Sequence, residues 1–295
     1  MSLVLAAVGF GVVTASILAL AGVGFTLQFG ITNILNLAYG SIMTSAAFAA
    51  LLVSQRGLSL WIAVAAAGLF GAAFSVALNR VVYTPFIRRG TRLFGMIIVT
   101  ISVGLVIQYA IQAIWGPSFF SLEGLHAQAI QLGAFAFTTT QVGILAMGVA
   151  AMVAVHLLLR YTTLGKAMRA TATNAELARN CGIATDRVID LAWAISGCLC
   201  GLAGVALVID VSSFTDTTGG EFLIPVIAVA VLGGVGQAYG AMLGALIVGI
   251  ASEIAAALIS PDYKDVVAFV ILIAVLLVRP KGIFSEIAQG KEVAA

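Results

Sequence analysis

Charge is what this sequence lacks most. Of 295 residues only 9% are Asp, Glu, Lys or Arg, while 62% are hydrophobic. Soluble domains carry roughly 25% charged residues, so this chain cannot cover a globular surface with polar groups. Its mean hydropathy of +1.15 agrees, and it reads as an integral membrane protein. Cysteine is scarce too. Cys181, Cys198 and Cys200 show no metal-ligand spacing and no paired framework, so they are expected to pack as small apolar side chains. His126 and His156 stand singly, with no Glu or Cys at metal spacing, which leaves packing or interface roles. Neither G-x-S-x-G nor H-E-x-x-H occurs. The phosphate-cradling G-x-x-x-x-G-K-[ST] loop is also missing, because Gly165-Lys166 is followed by Ala167. The chain is therefore expected to be no enzyme and to have no ATPase site or cofactor of its own. Nothing points to nucleic acid.

What is present is a series of long apolar runs. Strands of a membrane barrel alternate in polarity over segments of about ten residues; these runs are about twice that length and apolar on all sides, so they are helices. Glycine, 32 of 295 residues, favours close helix packing in lipid. Spans are expected at 3–27, 35–53, 58–78, 94–114, 141–159, 188–209, 222–232, 239–259 and 266–278. The seventh and ninth are short and must be broken or borrow from their flanks. The first lacks a basic leader and runs too long for a signal sequence, so it is read as a retained span. The fold class is thus all-α: a polytopic transmembrane bundle of about 8–10 spans, with one membrane domain over 1–295.

Lys and Arg near span ends favour the cytoplasm. Twelve of the 14 fall on one side: Arg80, Arg88, Arg89, Arg92, Arg160, Lys166, Arg169, Arg179, Arg187, Arg279, Lys281 and Lys291. The other side has Arg56 and Lys264 with Glu123, Asp210, Asp216, Glu221, Asp262 and Asp265. The C-terminus is expected inside and, by counting spans, the N-terminus outside. The connection from Trp115 to Thr140 is then external, aromatic and nearly uncharged. Trp61, Trp115, Tyr83 and Tyr161 lie near span ends and are read as interfacial anchors.

Two further features carry function. The stretch 160–187 is the longest polar island, with five basic residues against Glu176 and Asp186, and within it Glu176, Ala178 and Gly182 keep an E-x-A-x-x-x-G spacing. Such a loop suits docking of a soluble partner, or anionic headgroups. Secondly, Ala38-Tyr39-Gly40 recurs as Ala238-Tyr239-Gly240, each opening an apolar helix after a break rich in Gly or Asn. Paired interrupted segments point to a transporter's path, and Asn33, Asn36, Tyr39, Ser41, Gln237 and Tyr239 are the polar residues there. Both copies run in the same direction on this parse, whereas an inverted repeat needs them opposed. Among ionisable groups in the spans, Glu253 is deepest, roughly 9 Å from the end of its helix at 1.5 Å per residue. It is read as an interhelical or partner contact, with a direct transport role as the alternative. Asp190 lies near the inner boundary, where Arg187 can pair with it at i, i+3.

The E-x-A-x-x-x-G stretch resembles the coupling loop of bacterial ABC-importer permeases. The passages 24–43, 162–188, 230–249 and 275–284, together most of the chain in order, resemble the branched-chain amino-acid permease family. Leu177 departs from the loop's first Ala, and Ala192-Trp193 stands where other importers carry I-x-L-P. The resemblance implies a bacterial inner-membrane assembly of this permease, a paralogous permease, two ABC ATPase subunits that bind ATP and Mg, and an extracytoplasmic solute-binding protein. It places Glu176, Ala178, Gly182, Arg169 and Arg179 at the ATPase contact and implies alternating access for branched-chain or related neutral amino acids. Urea or short amides, and an ion-coupled secondary carrier, are the alternatives.

Overall fold

Backbone in lipid must satisfy its own hydrogen bonds, and the apolar runs do so as helices. The computed structural model describes residues 2–122, 129–132, 135–279 and 282. The helices are α1 (Ser2–Thr32), α2 (Tyr39–Gln55), α3 (Leu60–Leu78), α4 (Thr84–Arg88), α5 (Leu93–Trp115), α6 (Thr139–Tyr161), α7 (Thr163–Thr173), α8 (Ala175–Asn180), α9 (Thr185–Val211), α10 (Thr218–Gly233), α11 (Ala238–Leu258) and α12 (Lys264–Val278). A π-helical turn, Asn79–Tyr83, joins α3 to α4. Among the described residues six helices are long and apolar enough to cross a membrane, and all nine expected spans are present as helices. The two short ones borrow from their flanks, giving α10 16 residues and α12 15. Between α5 and α6 the chain adds an antiparallel pair that the sequence reading lacked, β1 (Ala129–Leu132) and β2 (Phe135–Thr138), in register Ala129↔Thr138. Glu123, His126, Lys281 and Lys291 lie outside the described residues.

The most enclosed helices are α1 and α9. Glycine sets how closely their neighbours approach. A Cβ on Gly197 or Gly201 of α9 would strike the carbonyls of Gly71 and Ala67 on α3, so these two helices meet backbone to backbone. On another side Tyr39 and Met43 of α2 meet Cys200 and Gly204 of α9 in ascending order. Helix α1 runs against α9, pairing Gly24 with Leu199 and Gln28 with Ser196. It also runs against α11, pairing Gly11 with Ile250 and Gly30 with Gly236. The echoing helices α2 and α11 therefore point the same way, as parsed and unlike an inverted pair.

The outward faces of α3, α5, α6 and α12 carry Leu69, Phe94, Val106, Val149 and Leu277, all largely exposed, the surface expected against lipid tails. Trp61 and Tyr161 are exposed near helix ends, as anchors should be. Tyr83 is not: it is fully buried, stacked on Trp193 with ring centroids 5.0 Å apart. Trp115, half-buried at the end of α5, packs one side on Phe48 at 4.9 Å, in a cluster with Phe120 and Phe214. Packing as a small apolar residue holds for Cys200, which is buried, whereas Cys181 is exposed beside α8.

Candidate functional site

The polar island folds as two short capped helices. Thr162 caps α7, its hydroxyl accepting from the Gly165 amide at 3.1 Å, and Asn174 caps α8, its carbonyl accepting from the Leu177 amide at 2.9 Å. The amphipathic α7 sinks Met168 and Thr171 into the bundle and leaves Lys166 and Arg169 outside. The Arg169 guanidinium donates to the Leu159 carbonyl, covering the open end of α6. On α8, Ala178 is buried while Glu176 and Arg179 are exposed. Gly182 then turns the chain at φ +85° with nothing within 4 Å of a would-be side chain; only glycine takes that conformation without cost. Arg179 folds back to Thr185 (3.1 Å) and Asp186 (3.0 Å) on the first turn of α9. The E-x-A-x-x-x-G residues thus divide into an exposed acid, a buried small contact and a turn.

The first helix break, 33–38, lies inside the bundle. Asn33 is exposed, with φ +54°. Asn36 is buried, donating to Gln28 Oε1 at 3.4 Å and accepting from the Tyr83 hydroxyl at 3.2 Å. Thr100 donates to the Leu35 carbonyl at 3.1 Å. Tyr39, also buried, donates to the Ser196 carbonyl at 3.3 Å, and Ser41 is half-buried beside Gly104. Freed backbone at membrane depth must be re-satisfied by neighbouring protein, and these side chains do so. The second break sits at the end of α1, where Gly236 touches Gly30. Gln237 is half-buried there, and the exposed Tyr239 shares a 3.0 Å hydrogen bond with His156 Nδ1 of α6. Gly30 meets Gly236 close in sequence to both breaks, whereas Tyr39 and Tyr239 face different helices. In this conformation Asn36 and Tyr39 offer no open surface.

Glu253 is buried on α11. It accepts from Thr14 at 2.8 Å and pairs with Lys264 at 2.5 Å, bordering a cavity of about 150 Å³ with Asp210 and Asp265. Asp190 is paired otherwise than expected: Arg80 reaches it at 2.8 Å and Asn79 at 3.0 Å. The π turn swings those two side chains onto α9, a contact no i, i+3 rule could anticipate. Gln28, Asn79, Thr100 and Ser196 are the groups the sequence reading overlooked, and Tyr83 is one it placed at the interface. Their signal was simply polar side chains within apolar runs.

The chain is thus a bundle of apolar helices with a short capped helix pair at one end and an interrupted helix in its interior. The chain belongs to the family of branched-chain amino acid transport system permease components, whose model matches residues 7–276. It is 33% identical to the high-affinity branched-chain amino acid transport system permease protein LivH of Escherichia coli K12, over 94% of each chain. It is 30% identical to the corresponding protein BraD of Pseudomonas aeruginosa, again over 94% of both. Among solved structures, a chain of PsaBC from Streptococcus pneumoniae in complex with Fab shares the fold. Its TM-score is 0.52 at 13% identity, with 95% of this chain and 94% of that one covered.

Proposed function

We propose that this chain is a permease subunit of an ATP-driven importer for branched-chain or closely related neutral amino acids, working by alternating access. The observation that carries the reading is the α7–α8 unit in a chain of this family. It places a buried Ala178, an exposed Glu176 and the Gly182 turn on a stem tied to α9, while the sequence has no phosphate-binding loop. Separate ATPase subunits holding ATP and Mg would press on that surface from the cytoplasm, the side to which twelve of the 14 basic residues assign it. A paralogous permease would complete the pore, and an extracytoplasmic binding protein would deliver the solute. Asn33, Ser41, Gln237 and Tyr239 are assigned to the path, with Asn36 and Tyr39 shaping the break behind it. A zwitterionic solute needs hydrogen bonds there rather than one fixed counter-charge.

The test is co-purification with the ATPase pair and solute-stimulated ATP hydrolysis across leucine, isoleucine, valine, phenylalanine, urea and acetamide. Stimulation by the branched-chain set, with Glu176→Lys and Gly182→Arg losing the ATPase subunits, is the expected result. Gradient-driven uptake by the purified chain alone would refute it in favour of a secondary carrier.

A further inference from the structure

A docking surface is useful only if its movement reaches the part of the bundle that opens, and a continuous set of contacts leads there. Helix α8 is fastened to α9 by the Arg179 bonds to Thr185 and Asp186, and the Ile183 amide on the Ala178 carbonyl at 3.0 Å closes the turn between them. One turn further along α9, Asp190 holds Arg80 through two nitrogens, at 2.9 and 2.8 Å, and Asn79 at 3.0 Å. Both belong to the π turn. At its other end Tyr83 stacks on Trp193 of α9 and donates its hydroxyl to Asn36 in the break. Asn36 and Ser196 of α9 then meet on the same atom, Gln28 Oε1, at 3.4 and 3.3 Å.

The π turn has a local cause. Pro85 has no amide hydrogen and its ring crowds the carbonyl four residues back, and the Thr84 amide bonds instead to Asn79, five residues back. A π turn holds one residue more than an α turn. Shifting it by one position would rotate the side chains on it by roughly 100°, which is the second arrangement open to such a turn. Unused bonding capacity gathers at the same place: Gln28 Nε2, Asn79 Oδ1 and Trp193 Nε1 are buried without a protein partner, so a second arrangement has atoms to bond.

We propose that the π turn Asn79–Tyr83 is the joint that carries movement of the α8–α9 unit to the helix break at 33–38. Asp190 and Tyr83 are its positioning residues, one gripping the turn and the other the break. The inference rests on the ATP-driven reading above.

The experiment uses the complete complex in proteoliposomes and measures solute moved per ATP hydrolysed. Tyr83→Phe and Asp190→Leu each remove one grip with little change of shape. Both are expected to assemble with the ATPase subunits and to hydrolyse ATP, yet to move about fivefold less solute per ATP, the lower end of typical coupling factors. The double variant should fall no further than the weaker single one, because one joint is broken either way. A transport-to-ATP ratio within about twofold of wild type in both variants would overturn the proposal. So would a loss of transport that only parallels a loss of assembled complex, which marks a structural role. If the wild-type complex shows no ATP-dependent uptake, the functional reading itself fails and this joint with it.

Discussion

The hydroxyl of Thr100 gives the sharpest test of how the first helix break is held. Thr100 is fully buried on α5, and its single proton is shared between the Leu35 carbonyl at 3.1 Å and the Ile97 carbonyl at 2.9 Å. Thr100→Val keeps the branched shape and deletes only that donor, leaving the Leu35 carbonyl of a non-helical segment without it. A buried group stripped of its partner costs about 1–3 kcal/mol. Because the proton is shared, about 1–2 kcal/mol is the appropriate part of that range. At about 2–4 °C per kcal/mol for a large domain, the purified protein in detergent should melt about 2–8 °C lower. Thr100→Ser keeps the hydroxyl and loses one methyl group, about 0.8 kcal/mol, so it should sit between wild type and Val. Amide exchange across 33–38 should quicken in the Val variant and barely change in the Ser variant. A Val variant that melts at or above the Ser variant, with unchanged exchange over the break, would refute the account.

Other outcomes follow from the packing and the charges. Gly197→Val should cost about 1–3 kcal/mol or prevent accumulation of folded protein, because its side chain would strike Gly71 and Ser75 of α3. Gly220→Ala, beside which nothing lies within 4 Å, should stay within about 0.5 kcal/mol; melting curves compare the two. Gly182→Val should weaken capture of the ATPase subunits, since a left-handed turn costs a non-glycine residue about 1–2 kcal/mol. Gly182→Asn, which tolerates that turn better, should largely keep the complex in the same pull-down. For the Glu253–Lys264 pair, Glu253→Gln leaves a half-exposed Lys264 that water can serve and should cost under about 1 kcal/mol. Lys264→Met strands the buried carboxylate with Thr14 alone and should cost about 1–3 kcal/mol, read as the larger drop in melting temperature.

Sequence alone determined the class, the placement of the apolar helices, and the polar helix pair between α6 and α9. Those rest on quantities local in the chain: runs long enough for lipid, charge clustered at their ends, and a spacing within one short segment. It also marked both breaks, since a Gly- or Asn-rich interruption between apolar helices is visible without any partner. Tertiary structure decided what holds the breaks and which residues share a place. Tyr83 looked like an interfacial ring because its position near a span end is a one-dimensional fact. Its burial on Trp193 depends on how α3 crosses α9, which the glycines at 71, 197 and 201 permit by letting the two backbones touch. Asp190 had an acceptable partner three residues away, yet Arg80 and Asn79 reach it from 110 and 111 positions off. A polar group in a membrane interior bonds to whatever the packing brings within reach, and packing is a property of pairs of helices, which no single stretch of sequence contains.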